Sequence, residues 1–200
     1  SRLMLALSAL GKSVYDVGGY DFIDILSQSY KYSYGQGLNG PIWELIALNT
    51  GGYELYEPPS SYEEGDINTE GRMLDYIMRS EIRDSENTIG GWVLNLASAG
   101  NSADVDITGM ALQALAPYYL DEEKYIATGA ETPYGEFVQA VERGVYSLYQ
   151  MQSSNGGFGG WGSNINSEST VQVLVALTAL GIDPLAKSIE LENIGKSCSF

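Results

Sequence analysis

The sequence predicts an all-α protein folded as an α/α toroid, with about four helix pairs in two concentric layers forming a partial or open ring. Three observations carry this. One phrase recurs: Leu5-Ala6-Leu7-Ser8-Ala9-Leu10-Gly11, Ala111-Leu112-Gln113-Ala114-Leu115 and Ala176-Leu177-Thr178-Ala179-Leu180-Gly181, with a looser copy at Leu45-Ile46-Ala47-Leu48. Counted from Ala6, the aligned positions are 6, 44, 111 and 176, an internal repeat of the kind that decides architecture. Second, segments that are apolar all round alternate with amphipathic ones. Third, a glycine-aromatic punctuation, Gly90-Gly91-Trp92 and Gly156-Gly157-Phe158, returns after 66 residues.

The elements follow in order. The segment over 3–10 is apolar on every face, so it must be covered on both sides. The next copy begins at Asn39-Gly40-Pro41, where a capping residue precedes a first-turn proline. Around residues 72–79, Leu74, Ile77 and Met78 share a face, with Arg72, Asp75 and Arg79 on a wet one. Asp106 is the expected N-cap of the third apolar helix, and Ser167 that of the fourth. Between them, Thr132-Pro133 opens an amphipathic helix on which Phe137, Val141, Val145 and Leu148 step by four, four and three. Glu136, Gln139, Glu142 and Arg143 occupy its other faces. Gly11 and Gly181 follow apolar helices, where a left-handed cap is expected. Residues 53–68, 84–89 and 120–131 read as linkers within one domain, 1–200. The abrupt start, already inside a helical pattern, reads as a piece of a longer protein.

Composition limits the function. A chain of 200 residues buries roughly 70% of its unfolded surface, enough for a substantial core. Ten Lys and Arg against 26 Asp and Glu leave a net charge of −16, which argues against a nucleic-acid partner. The single cysteine, Cys198, forms no internal disulfide, and its tail is too short for a prenylation box. No histidine occurs, so Ser-His-Asp and Cys-His chemistry and the usual zinc sites lose an obligatory group. Apolar runs reach about ten residues, short of the ~20 that span a bilayer. No metal site and no cofactor is expected: calcium-ligand spacing is absent, and glycine-rich 156–162 has neither the basic residue nor the preceding strand of a phosphate cradle.

The run Gln152-Ser153-Ser154-Asn155-Gly156-Gly157-Phe158 resembles the glutamine-to-tryptophan "QW" repeat of the squalene cyclase and protein prenyltransferase superfamily. More closely, Asn39-Gly40-Pro41-Ile42, the stretch from Asp104-Val105-Asp106-Ile107-Thr108 to Ala116-Pro117, and Asn166-Ser167-Glu168-Ser169-Thr170 resemble the prenyltransferase-repeat modules of large bacterial surface proteins. Such modules come typically from Gram-positive anaerobes and share the toroid with the cobalamin carriers intrinsic factor and transcobalamin. The resemblance implies an extracellular or cell-surface module with a small-molecule or glycan ligand, corrinoid or carbohydrate, and with other domains of a parent protein as partners.

Five residues are candidates for the site: Trp43, Glu44, Asp104, Asp106 and Trp161. Asp104-Val105-Asp106-Ile107-Thr108 resembles the acidic motif of class II terpene cyclases, which would make Asp106 a general acid assisted by Asp104. Ile107 replaces a tuning aspartate and no histidine is available, so capping is the favoured reading. Protein prenyltransfer is rejected, because its zinc ligands include a histidine. Trp43, Trp92, Phe158 and Trp161 could stack on flat ligands, although the QW setting makes Trp92 and Phe158 structural. Glu44 stands where the other copies carry Ala6, Ala111 and Ala176, and is expected either at a hydrated cavity, the favoured reading, or bonded to a partner. The sequence thus points to a non-catalytic ligand-binding or adhesion module, with a terpene cyclase and a structural spacer as alternatives.

Overall fold

A computed structural model describes residues 1–57, 67–83, 89–95, 102–160 and 164–200. The described residues are 55% helix and 6% strand. In chain order the helices are α1 (Arg2–Ala9), α2 (Phe22–Ser27), α3 (Tyr30–Tyr34), α4 (Asn39–Gly51), α5 (Glu70–Arg79), α6 (Val105–Tyr119), α7 (Glu122–Ala127), α8 (Tyr134–Met151) and α9 (Ser167–Ala179). A small antiparallel hairpin, β1 (Ile189–Leu191) and β2 (Lys196–Cys198), closes the chain. The short helices α2, α3 and α7 and the hairpin carry too few turns to show a period in the sequence, and α7 falls in what reads as a linker.

The four Ala-Leu segments become α1, α4, α6 and α9, and they pack as a row: α1 on α4, α4 on α6, α6 on α9. The amphipathic α5 packs against α4, and α8 against α6. Leu45, Leu48, Leu112, Leu115, Leu74, Ile77, Val141 and Val145 fill the space between them and are buried. Each such side chain contributes about 1.5–3 kcal/mol relative to exposure. The two middle helices are covered as expected. The two end helices are not: Leu3 on α1 and Leu10 at its C-cap, and Val171, Leu174 and Val175 on α9, remain exposed.

Helix ends correct the repeat register. Lys12 N–H donates to Leu7 O and Gly11 N–H to Ser8 O, and the same pair of bonds recurs as Ile182 to Leu177 and Gly181 to Thr178. These are Schellman closures, with Gly11 and Gly181 left-handed at φ +63° and +73°. Tyr53 N–H to Leu48 O ends α4 likewise. At the other end, Asp104 and Asn166 cap α6 and α9, accepting from Ile107 N–H and Ser169 N–H. Superposing these ends makes Ala6, Ala47, Ala114 and Ala176 equivalent, so Glu44 answers to Leu3, Ala111 and Val173 rather than to Ala6 and Ala176. The sequence alignment had slipped by one turn, which preserves the helix face and is therefore nearly invisible to a pattern of apolar residues.

The caps themselves are also displaced from expectation. Asp106 and Ser167 lie inside their helices, with Asp104 and Asn166 as N-caps. Asn39 lies inside α4, whose N-cap is Leu38, and makes no cap bond. Thr132 does not cap α8; its N–H and Oγ1 both donate to Asp75, at 3.0 and 2.8 Å, and Glu131 N–H donates to the same carboxylate at 2.8 Å. Asp75 is therefore a buried lock on the segment before α8, not part of a wet face. Glu142 and Arg143 are buried too. Arg143 forks onto Glu81 with two bonds of 2.8 Å, and Asn193 beyond β1 donates to Glu142 at 2.6 Å. Loops folded over α5 and α8 cover charges that periodicity alone assigns to solvent.

Candidate functional site

The five sequence candidates do not converge. Asp104 Oδ1 accepts the Ile107 N–H at 2.9 Å, so this carboxylate holds the start of α6. Asp106 is half-buried one residue into the helix, where its charge complements the helix N-terminus. Its carboxylate crowds Gly160, where an added Cβ would lie 2.2 Å from Asp106 Oδ2. Trp161 lies outside the described residues. Trp43 and Glu44 are neighbours on α4, and successive residues of a helix point in different directions.

Trp43 is half-buried with the Arg2 guanidinium 4.6 Å from its ring centroid. Its Nε1 is buried and has no hydrogen-bond partner among the described residues. The same holds for Oδ1 of Asn39, one turn earlier. A donor and an acceptor on one face of α4 are thus left for water or a ligand to satisfy.

Glu44 is 5% exposed, which overturns the hydrated-cavity expectation. Its carboxylate is clamped from two sides: Ser33 Oγ donates to Oε1, and Asn68 Nδ2 donates to Oε2 at 2.9 Å. Ser33 comes so close because α3 lies directly on α4. A Cβ at Gly40 would collide with the Ser33 carbonyl, so Gly40 serves this approach rather than helix initiation. Burial raises the Glu44 pKa above the ordinary carboxylate range, and the bonds from Ser33 and Asn68 oppose that shift.

Asn68 carries the clamp outward. Its N–H donates to Ser27 O and its Nδ2 also reaches Leu26 O, tying α2 to the segment before α5. Its Oδ1 accepts from Tyr34 OH at 3.5 Å. Tyr34 meets Tyr76 of α5 edge-to-face, with centroids 4.7 Å apart, and Tyr30 at 4.4 Å, while Arg72 lies 4.0 Å over Tyr30. Burial pushes the Tyr34 phenol pKa up, keeping it a neutral hydroxyl.

Tyr34 and Tyr76 form one wall of a cleft of about 300 Å³ whose remaining lining includes Gly37, Ser80, Val93 and Leu94. Gly37 is left-handed at φ +63°, and a Cβ there would stand 2.7 Å from Leu94 O, so the loop can close the cleft only with glycine. The result is a half-buried aromatic wall beside hydroxyls and backbone polar groups, rigidly backed by Asn68 and Glu44.

Sequence reasoning missed Tyr34, Tyr76, Asn68 and Ser33. The run Tyr30-Lys31-Tyr32-Ser33-Tyr34 was the available signal. Trp92 and Phe158, by contrast, are structural as expected. Trp92 is fully buried, its Nε1–H donating to Ile77 O at 2.8 Å and its N–H to Thr108 Oγ1 at 2.9 Å. Phe158 N–H meets Thr170 Oγ1 in the same way at 3.0 Å. Among the described residues no group of His, Cys, Asp or Glu side chains could hold a metal ion, and no helix is long and apolar enough to cross a membrane. No family model, curated protein or solved structure matches the chain.

Proposed function

We propose that the protein is a non-catalytic binding module for a neutral carbohydrate, held in the Tyr34–Tyr76 cleft. The observation that carries this reading is the pairing of an aromatic wall with hydroxyl and backbone polar groups in a cleft of about 300 Å³. A sugar ring presents an apolar C–H face that suits an aromatic side chain, and a rim of hydroxyls that suits Tyr34, Ser80 and backbone groups. The volume is at the lower end of small-molecule sites, roughly 300–1,000 Å³, which admits one or two sugar rings and not a corrinoid macrocycle. The net charge of −16 disfavours anionic glycans.

The finer architecture belongs to the same proposal. A row of four apolar helices with amphipathic helices against its middle members is what a segment of an α/α toroid looks like. The resemblance to prenyltransferase-repeat modules of bacterial surface proteins accords with an extracellular setting, where a glycan-binding role is at home. The terpene cyclase alternative gains no support from Asp104, whose Oδ1 is engaged as the cap of α6.

Isothermal titration against neutral mono- and oligosaccharides tests the reading. Binding is expected, lost in Tyr76→Ala and retained in Tyr32→Ala, whose ring is exposed away from the cleft lining. Saccharide binding that survives Tyr76→Ala, or the absence of binding to any neutral glycan, overturns it.

A further inference from the structure

The segment that brings Val93 and Leu94 to the Tyr34–Tyr76 cleft is hydrogen-bonded up to Trp92. Gly91 O accepts from Ile82 N–H and Trp92 O from Asp104 N–H, both at 2.9 Å, while Trp92 N–H donates to Thr108 Oγ1. At Val93 the pairing stops. This residue lines the cleft and is 7% exposed, yet neither its N–H nor its C=O has a partner among the described residues. Gly37, also in the lining, carries a second unpaired carbonyl among the described residues. The hydrogen-bond ladder of α4 starts with Ile42 N–H to Leu38 O, and one position earlier Pro41 has no N–H to give to Gly37 O. Backbone groups enclosed in a protein are nearly always paired, so this donor and these two acceptors are left for something that enters the cleft. Beside them lies apolar surface. Leu94 is 38% exposed, and its Cδ1 stands 3.7 Å from where a Cβ on Gly37 would be.

We infer that the carbohydrate held in this cleft is an N-acetylated amino sugar, its acetamido group hydrogen-bonded by the backbone of Val93 and Gly37 and its methyl laid on Leu94. The inference rests on the carbohydrate reading above and narrows it. Sugar hydroxyls alone can satisfy the unpaired backbone groups, but they leave Leu94 facing polar atoms and gain nothing from its burial. An acetamido group carries an N–H donor, a C=O acceptor and a methyl in one planar unit, which matches a free peptide donor and acceptors set beside a leucine. Such a sugar is also neutral, as a chain of net charge −16 favours.

Isothermal titration with glucose, glucosamine and N-acetylglucosamine, and with cellobiose against N,N′-diacetylchitobiose, tests it. The acetylated member of each set is expected to bind at least about tenfold tighter, the worth of one or two net hydrogen bonds. Leu94→Ser, at an exposed position, removes the apolar contact and keeps the backbone, and circular dichroism checks that it is folded. It should weaken binding of the acetylated sugars about fourfold, the worth of one buried methyl. Glucose or cellobiose binding as tightly as its acetylated counterpart overturns this inference and leaves the carbohydrate reading standing, whereas no binding by any member of the panel overturns both. Tighter binding of glucosamine also overturns it, because charge and not the acetyl group is then what the cleft reads. So does undiminished binding by folded Leu94→Ser. N-acetylalanine methylamide serves as the amide without a sugar, and its binding as tightly as N-acetylglucosamine would put a peptide in the cleft and overturn both readings.

Discussion

The middle helices α4 and α6 and the end helices α1 and α9 are written in nearly the same residues yet live in different surroundings. Leu112 and Leu115 of α6 are fully buried, whereas Leu10 at the end of α1 is 72% exposed and Val171 of α9 is 55% exposed. An apolar sequence makes a helix burial-competent; only a neighbour on each side makes it buried. In repeat architectures stability is carried by the interfaces between units, so the same substitution should have very different effects along the row.

The largest expected contrast tests that directly. Leu115→Ala opens a cavity in a covered helix and should cost about 2–5 kcal/mol, whereas Leu10→Ala on the bare edge of α1 should stay within about 0.5 kcal/mol. Chemical denaturation of the two variants measures it. Similar losses would mean that the α1 edge is covered in solution.

The next contrast sets two glutamates side by side. Glu44 sits in the covered middle and Glu168 lies exposed in the first turn of α9. Glu44→Ala strands the Ser33 hydroxyl and the Asn68 amide and should cost about 1–3 kcal/mol. Glu168→Ala removes a helix-dipole contact and one exposed hydrogen bond from Ser167 Oγ, together worth about 0.3–1 kcal/mol. Thermal melts at pH ~7 compare them, and a neutral Glu44→Ala would contradict the clamp.

Glu44 also makes a pH prediction. Because burial raises its folded pKa above the unfolded value, the folded state holds the proton more tightly. The proton-linked part of its contribution is fully present below the ordinary carboxylate range and is lost as pH rises through the folded pKa, while the bonds from Ser33 and Asn68 remain. Glu44→Gln, which keeps the shape and has no charge to form, should therefore gain stability relative to the parent as pH is raised from about 4 to 7. Parallel melting curves across that range would show that the carboxylate ionises without penalty.

The smallest expected effects concern the caps. Asp104→Ala and Asn166→Ala should each cost about 0.5–2 kcal/mol, one in the covered middle and one at the open end, because capping is local and indifferent to burial of the rest of the helix. Asp106→Ala should cost less than Asp104→Ala. The reverse order in urea denaturation would restore Asp106 as the functional cap.

How much of this could be read beforehand follows a physical line. The existence and type of the long helices, the glycine stops at Gly11 and Gly181, and the structural role of Trp92 and Phe158 were legible, because they rest on contacts within a few turns or on a repeated local signature. The candidate cleft was not. Tyr34 and Tyr76 are 42 positions apart, and what brings them together is the seating of α3 on α4 at Gly40 and the reach of Asn68 across to Glu44. Glu44 was noticed as an anomaly but placed in water, because a sequence shows a carboxylate on an apolar helix without showing the Ser33 and Asn68 groups that make its burial tolerable.

The sequence by itself determined that the chain is helical, that its helices come in two kinds, and where most of them stop, since hydrophobic periodicity and backbone capping act over short stretches of chain. Only the tertiary structure decided which turn of each repeat is equivalent, which charges are buried, and which apolar faces find a neighbour. Those depend on docking between segments far apart in the chain, where a shift of one helical turn or one covering loop changes the surroundings of a side chain without changing the pattern that placed it there.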